Sequence, residues 1–204
     1  MVQHAEAATI DFENTGGVVE PGLGTVTVIP NGYGGFVWEN FDTLDAQTEW
    51  GSEPDSGYIN GTVSGEYVAF NHFADPASIS RATNFNFISA AFTAAWYDDL
   101  QLDIAGFRDG VQIYSTTLTL TTELYSNLFL NWFDLDQITF VSYGGTNTKF
   151  PAGHRRQFVM DDLQYTNVVA TPIPAALPLF ATAMLGLGVL ARRRNRKQAQ
   201  APAI

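Results

Sequence analysis

Along most of the chain, apolar and polar positions alternate with the period of two that marks a half-buried strand. The alternation is clearest in LQLDIAG (100–106) and VQIYSTTLTL (111–120). Shorter β-branched and aromatic stretches recur as TVTVIP (25–30), YVAFN (67–71), LFLNWF (128–133), QITFVSY (137–143) and QFVMDDLQY (157–165). Turn chemistry separates them: PNGYGG (30–35), RDG (108–110) and YGGTN (143–147). Asp109-Gly110 between two alternating runs predicts a tight hairpin, because both residues tolerate the positive φ such a turn needs. No stretch before Ala175 sustains a helical period. Roughly nine or ten strands without helices predict an all-β, antiparallel β-sandwich or jelly roll over residues 8–168.

The pattern changes at the C-terminal end. From Ala175 to Ala191 there are 17 uncharged residues, rich in Ala, Leu and Gly. As a helix they would span about 25 Å, near the lower limit for crossing a hydrocarbon core. Pro172, Pro174 and Pro178 fall before or within its first turn, where proline is tolerated. Arg192, Arg193, Arg194, Arg196 and Lys197 follow at once, and short segments keep such cations on the cytoplasmic side. The expectation is a single C-terminal transmembrane helix with the body outside and the basic tail inside. A buried core helix is the alternative, against which the basic cluster and the terminal position both count.

This arrangement resembles the PEP-CTERM sorting signal of Gram-negative bacteria in its VPLPA-type form. The matching residues are Pro172, Ile173, Pro174 and Ala175, then the apolar run, then the basic stop from Arg192 to Lys197; the middle residue is Ile where the commonest form has Glu. The resemblance covers about 30 residues, 169–204 being the segment assigned to the signal. It implies an exosortase as partner, insertion into the inner membrane before processing, and delivery to the envelope surface or extracellular matrix. At the other end, Ala5-Glu6-Ala7 offers the small residues a signal peptidase cuts after, at Ala5 and Ala7. Residues 1–7 then read as a remnant of a signal peptide whose basic and apolar parts are missing. The expectation is a start placed too late or a truncated chain, with chance in an alanine-rich sequence as the alternative.

Charge narrows the function classes. The formal net charge is −11, but from Ala8 to Ala170 there are 20 acidic against 5 basic residues, a net of −15. So negative a surface repels phosphate backbones and excludes nucleic acid as a partner of the body. It tolerates a divalent cation. With no cysteine, disulfides, thiolate metal sites and cysteine nucleophiles are excluded.

In a jelly roll the first and last strands lie side by side, which would bring Glu13 of TIDFEN near Asp161 and Asp162 of FVMDDLQY. Converging carboxylates either stay solvated or hold a hard cation such as Ca²⁺ between them. PNGYGGFVWENF, SGYINGTVSGEYVAFN, FTAAWYDDLQLDIAGF and FVMDDLQY resemble an extracellular β-sandwich family similar to carbohydrate-binding-module jelly rolls. That resemblance, over roughly Thr9 to Thr166, implies a structural Ca²⁺ on Glu13 and Asp161, with Asp11 and Asp162 as secondary candidates.

Catalytic constellations are missing: no Gly-x-Ser-x-Gly, His-Glu-x-x-His, phosphate loop or EF-hand loop occurs, so no catalytic residue is assigned. The acidic pairs Asp98/Asp99, Asp134/Asp136 and Asp161/Asp162 are expected by chance among 21 acids, and neighbours on a strand face opposite ways. Aromatic residues offer sugar stacking instead, with the four tryptophans and Tyr33, Tyr58 and Tyr67 as candidate rings. Trp38, Trp96 and Trp132 sit among apolar strand residues and read as core, whereas Trp50 in a polar loop is the candidate glycan-binding ring. The reading is a non-enzymatic exported surface or matrix protein, with exopolysaccharide or another glycan as a possible partner; the alternative is a lectin-like glycan-binding module with structural calcium.

Overall fold

A computed structural model describes residues 6–20, 26–48, 53–150 and 153–168 of the chain. The described strands are β1 (Ala7–Ile10), β2 (Thr27–Val28), β3 (Val37–Glu39), β4 (Phe41–Asp45), β5 (Tyr67–Asn71), β6 (Ala77–Ala94), β7 (Asp98–Arg108), β8 (Val111–Leu120), β9 (Ser126–Thr146) and β10 (Phe158–Asn167), with one short helix, α1 (Gly57–Gly61). Every strand pairing is antiparallel. The hydrogen-bonded order is β2-β4-β5-β10-β6-β9-β7-β8, with β1 added to β10 and β3 to β6.

The hairpin is where the alternation put it. β7 and β8 are joined by Asp109 and Gly110 at φ 52° and 73°, the primed turn whose twist matches that of the strands. LFLNWF and QITFVSY, separate in the sequence pattern, form one 21-residue strand, β9. The 18 residues of β6, ASISRATNFNFISAAFTA, carry too many small and polar residues to read as a strand. Pairing along both edges makes them one, since strand preference is largely a matter of neighbours.

The sheet curls until its two halves face each other. Phe41 of β4 meets Phe140 of β9 edge-on at 5.7 Å and Phe158 of β10 at 5.9 Å, the geometry ring quadrupoles favour. Phe85, Phe87, Phe92, Leu100, Leu102 and Ile138 complete a fully buried core between the layers. The architecture is therefore antiparallel all-β, consistent with a β-sandwich. Trp38, Trp96 and Trp132 are buried at 5%, 4% and 7% exposure, as their apolar flanks imply.

Two seams interrupt the pairing. β1 and β5 share one edge of β10, β5 taking Val159 and Met160 and β1 taking Leu163 to Thr166. Between them lie Asp161 and Asp162, with Asp162 at φ 48° and a register shift against β6. β3 and β10 likewise share one edge of β6, meeting it at Ser78–Ser80 and at Phe85–Ala94 respectively. There the Arg81 guanidinium lies over the rings of Phe36 and Tyr165 and donates to Asn167. Among the described residues no helix is long and apolar enough to cross a membrane. The Pro172–Ala175 motif, the apolar run, the basic stop, Ala5 and Trp50 lie outside the described residues.

Candidate functional site

The layer β4-β5-β10 is buried on both faces. Phe41, Ala69, Phe158 and Met160 point into the main core, while Leu44, Val68, Phe70 and Val159 point outward into a second apolar cluster. Register puts Asp42 opposite Phe70, and Phe70 opposite Val159, in one row across three strands. The outer cluster is covered by α1. Its helix starts at Ser56, whose hydroxyl accepts from the Ile59 N–H at 3.5 Å, the usual N-cap bond. Gly57 and Gly61 let α1 lie directly on the end of β6: a Cβ at Gly57 would fall 1.7 Å from the Ala94 carbonyl oxygen. That close approach plants Tyr58 edge-on against Phe70 and Trp96, at 5.4 and 5.3 Å.

Beside this cluster lies a cleft of about 210 Å³. Tyr58, Phe70 and Trp96 line its apolar part; His154 and Gln157, from the segment leading into β10, line it next to Trp96. The His154 imidazole stacks on the Trp96 indole with centroids 3.9 Å apart and planes 20° apart. The indole N–H donates to Gln157 at 3.3 Å, and the His154 carbonyl accepts from the Tyr97 hydroxyl at 3.1 Å. The indole is thus tied to both His154 and Gln157, and His154 to Tyr97.

At one end, His72 Nδ1 is bonded to the Asp42 carboxylate. Asp42 is 3% exposed and His72 26%, so the carboxylate is the anchor and the imidazole is what the cleft meets. The His72 N–H bonds the Asn40 carbonyl at 2.9 Å, which continues the β4–β5 pairing by one step and sets the ring beside Asp42. Burial raises the Asp42 carboxyl above its ordinary range, and the bond and charge of His72 oppose that rise. Phe73 and Ala74 follow at φ 49° and 64°. Left-handed backbone at two successive non-glycine residues costs of order 1–3 kcal/mol each. It carries the Phe73 ring, 45% exposed, out to the rim.

A buried carboxylate holding one imidazole nitrogen is the arrangement that orients a general base. Nucleophilic chemistry needs a further activated group. The one hydroxyl among the described lining residues is that of Tyr58, whose burial pushes its pKa far above the ordinary phenol value. The pair presents an oriented imidazole to the cleft.

The carboxylates singled out in the sequence gather elsewhere, at the β1–β5 seam. Asp161, fully buried, accepts from the N–H groups of Val63, Ser64 and Asp162 at 2.7–3.1 Å. Glu13 accepts from the N–H groups of Glu66 and Tyr67, both at 2.8 Å. Asp162 accepts from the Ser64 hydroxyl at 2.7 Å. Asp161 and Asp162 thus both reach Ser64, contrary to the expectation that adjacent strand residues face apart; the left-handed turn at Asp162 breaks the alternation. Asp11 accepts from the Glu13 N–H at 3.3 Å. These carboxylates end unpaired amides where no strand continues, and burial raises the Asp161 carboxyl to about 7 despite its three donors. Among the described residues no group of three or more His, Asp or Glu side chains is placed to hold a metal ion.

The other acidic pairs do structural work. Asp98 bonds the Thr122 N–H and hydroxyl and pairs with Lys149. Asp134 pairs with Arg108 and accepts from Asn84. Asp136 accepts the Asp109 N–H in the hairpin turn at 2.6 Å.

The cleft was not legible as a site in the sequence. His72 and His154 stood as scattered histidines, and Trp96 as core. One signal pointed to it: GHRRQ (153–157) concentrates two of the body's five cations beside a histidine.

Neither a protein-family model nor a curated protein sequence matches the chain. Among solved structures the chain is similar to the carbohydrate-binding module TmCBM61, described in complex with β-1,4-galactotriose. The identity is 11% over 68% of this chain and 95% of that one, with a TM-score of 0.39. It is also similar to a DUF4465 family protein from Bacteroides ovatus, at 10% identity over 79% of this chain and 89% of that one, with a TM-score of 0.46. At that distance the cleft has to be read from its own residues.

Proposed function

We propose that the chain is a non-enzymatic, exported carbohydrate-binding module built on a jelly-roll sandwich, and that the cleft beside Trp96 receives one sugar ring. The observation that carries this is an exposed ring, Phe73, at the rim of a cleft floored by the buried Tyr58 and Trp96, beside an imidazole fixed by a buried carboxylate. A pyranose offers an apolar face for the exposed Phe73 ring and hydroxyls for His72 and Gln157. A volume of about 210 Å³ is below the ~300–1,000 Å³ typical of drug-sized sites, which favours a single ring over an enclosed oligomer.

The test is calorimetric titration of the full chain with monosaccharides, comparing wild type with Phe73→Ala and His72→Ala. Saturable binding weakened at least several-fold by both substitutions supports the reading. Binding that ignores both moves the site away from the cleft.

Export and sorting complete the proposal. Pro172, Ile173, Pro174 and Ala175, followed by the apolar run and the Arg192–Lys197 cluster, would be read by an exosortase in the inner membrane. The product would reside at the envelope surface or in the matrix of a Gram-negative cell. Replacing Arg192, Arg193 and Arg194 with Gln is expected to redistribute the protein between membrane and medium without changing the melting temperature. An unchanged distribution would remove the sorting role from those residues.

A further inference from the structure

In the stretch from Ala8 to Ala170 there are five basic side chains among 20 acidic ones, and four of the five are committed to the fold. Arg108 pairs with Asp134, and Lys149 with Asp98 and Glu123. Arg81 fills the β3–β10 seam between two rings. Arg156 donates to the Gly144 carbonyl at 2.6 Å and lies over the Tyr97 ring at 4.8 Å. Arg155 differs. Its guanidinium sits 4.7 Å from the centroid of the Phe73 ring at the mouth of the cleft, it is exposed, and it has no carboxylate partner among the described residues. In so acidic a protein, an unneutralised arginine on a cleft wall is a specific placement.

We infer that the sugar accepted by the cleft is a carboxylate-bearing one, a uronic acid, with its ring beside the exposed Phe73 ring at the rim and its carboxylate paired with Arg155. The inference rests on the sugar-binding reading and narrows its ligand class. The planar guanidinium fork matches a carboxylate with two parallel hydrogen bonds. Contact with the Phe73 ring restrains the guanidinium beforehand, so less side-chain freedom is lost on binding. The opposing charge inside the cleft is Asp42, and it is spent on His72 at the buried end. Repulsion from the acidic body acts over a longer range and is screened within ~8 Å at physiological salt, so the contact pair dominates.

The experiment is calorimetric titration of the full chain with glucuronate and galacturonate against glucose and galactose, in wild type, Arg155→Gln and Arg155→Lys. Melting temperatures of the variants verify folding; an exposed side chain at the rim leaves them close to wild type. Uronates are expected to bind at least tenfold more tightly than the neutral sugars. R155Q brings them down to the neutral level, and R155K, which keeps the charge and loses the fork, falls between. Equal affinities for neutral and acidic sugars would overturn the carboxylate assignment and leave the sugar-binding reading standing. Displacement of glucuronate by acetate at equal concentration would mark a bare anion site and overturn the uronate. Failure of every sugar to bind would remove both.

Discussion

The Trp96 indole and the His154 imidazole lie nearly parallel, 3.9 Å between centroids. They come from just after β6 and from the segment before β10, and their stacking fastens that segment onto the outer apolar cluster. The two rings carry different loads. Trp96 is 4% exposed and also packs on Tyr58 and Phe150, whereas His154 is half-buried at the edge.

Trp96→Ala is accordingly expected to destabilise the fold by about 3–5 kcal/mol. His154→Ala loses two aromatic pairs, with Trp96 and with Phe150, about 0.5–1.5 kcal/mol each, and weakens sugar binding in a protein that still melts cooperatively. Thermal melts and titrations of the two variants check this. Equal destabilisation by both would make His154 a core residue.

Asp161 gives the fold a pH dependence whose sign can be worked out. Burial first, and the neighbouring Asp162 charge last, raise its carboxyl to about 7 from an ordinary 3.8, against the pull of three backbone donors. Between those values the folded state holds a proton that the unfolded state has released. Stability therefore falls as pH rises from about 4 to about 7, by at most ~1.4 kcal/mol per pH unit, and levels off above. Melting temperatures from pH 4.5 to 8 should show the decline in wild type and a flatter profile in Asp161→Asn. A wild-type curve that rises through this window would contradict the assignment.

Gly65 and Glu13 are coupled across the same seam. Gly65 has φ +58°, and a Cβ there would lie 2.1 Å from the Glu13 carboxyl carbon. Gly65→Ala is expected to cost about 1–3 kcal/mol through backbone strain and displacement of that carboxylate. Glu13→Ala frees the Glu66 and Tyr67 amides and costs a similar amount. The double variant should lose less than the two losses added, because each alone already breaks the same contact. Strict additivity in denaturant melts would mean that the two residues act independently.

With Asp161 already accepting three hydrogen bonds, closure of β1 onto β10 does not call for an ion. Melts of the full chain in millimolar Ca²⁺ and in EDTA are expected to agree within a degree or two. A rise of several degrees in Ca²⁺ would place a cation among Asp11, Glu13, Asp161 and Asp162, since a ligand bound only by the folded state raises the melting temperature.

How much the sequence disclosed follows from the range of the signals. The Asp109-Gly110 hairpin, YVAFN and the burial of Trp38, Trp96 and Trp132 depend on local pattern and were legible. β6 was not, because Ala, Ser and Asn take their strand conformation from partners on both edges. The seam carboxylates Glu13 and Asp161 were located by the adjacency of the first and last strands, but three of their donors, Val63, Ser64 and Glu66, lie in the loop before β5, which no pattern flagged. The cleft was least visible. Asp42, His72, Trp96 and His154 are brought together by register and by the folding-over of 153–157, and none carries a motif of its own. Tyr58 was visible as one of several candidate stacking rings; its place depends on Gly57 and Gly61 letting α1 sit against β6.

The most direct test is carried by the tryptophans. The chain has four, so indole-labelled protein gives four resolvable N–H signals, and Trp96→Phe identifies the one in the cleft. Titration of the full chain with glucuronate and with glucose is expected to move the Trp96 signal saturably, glucuronate at the lower concentration, while Trp38 and Trp132 stay in place. If the Trp96 signal does not move, or if saturable shifts appear at Trp50 alone, the cleft is not the binding site and the account of this protein's function is wrong.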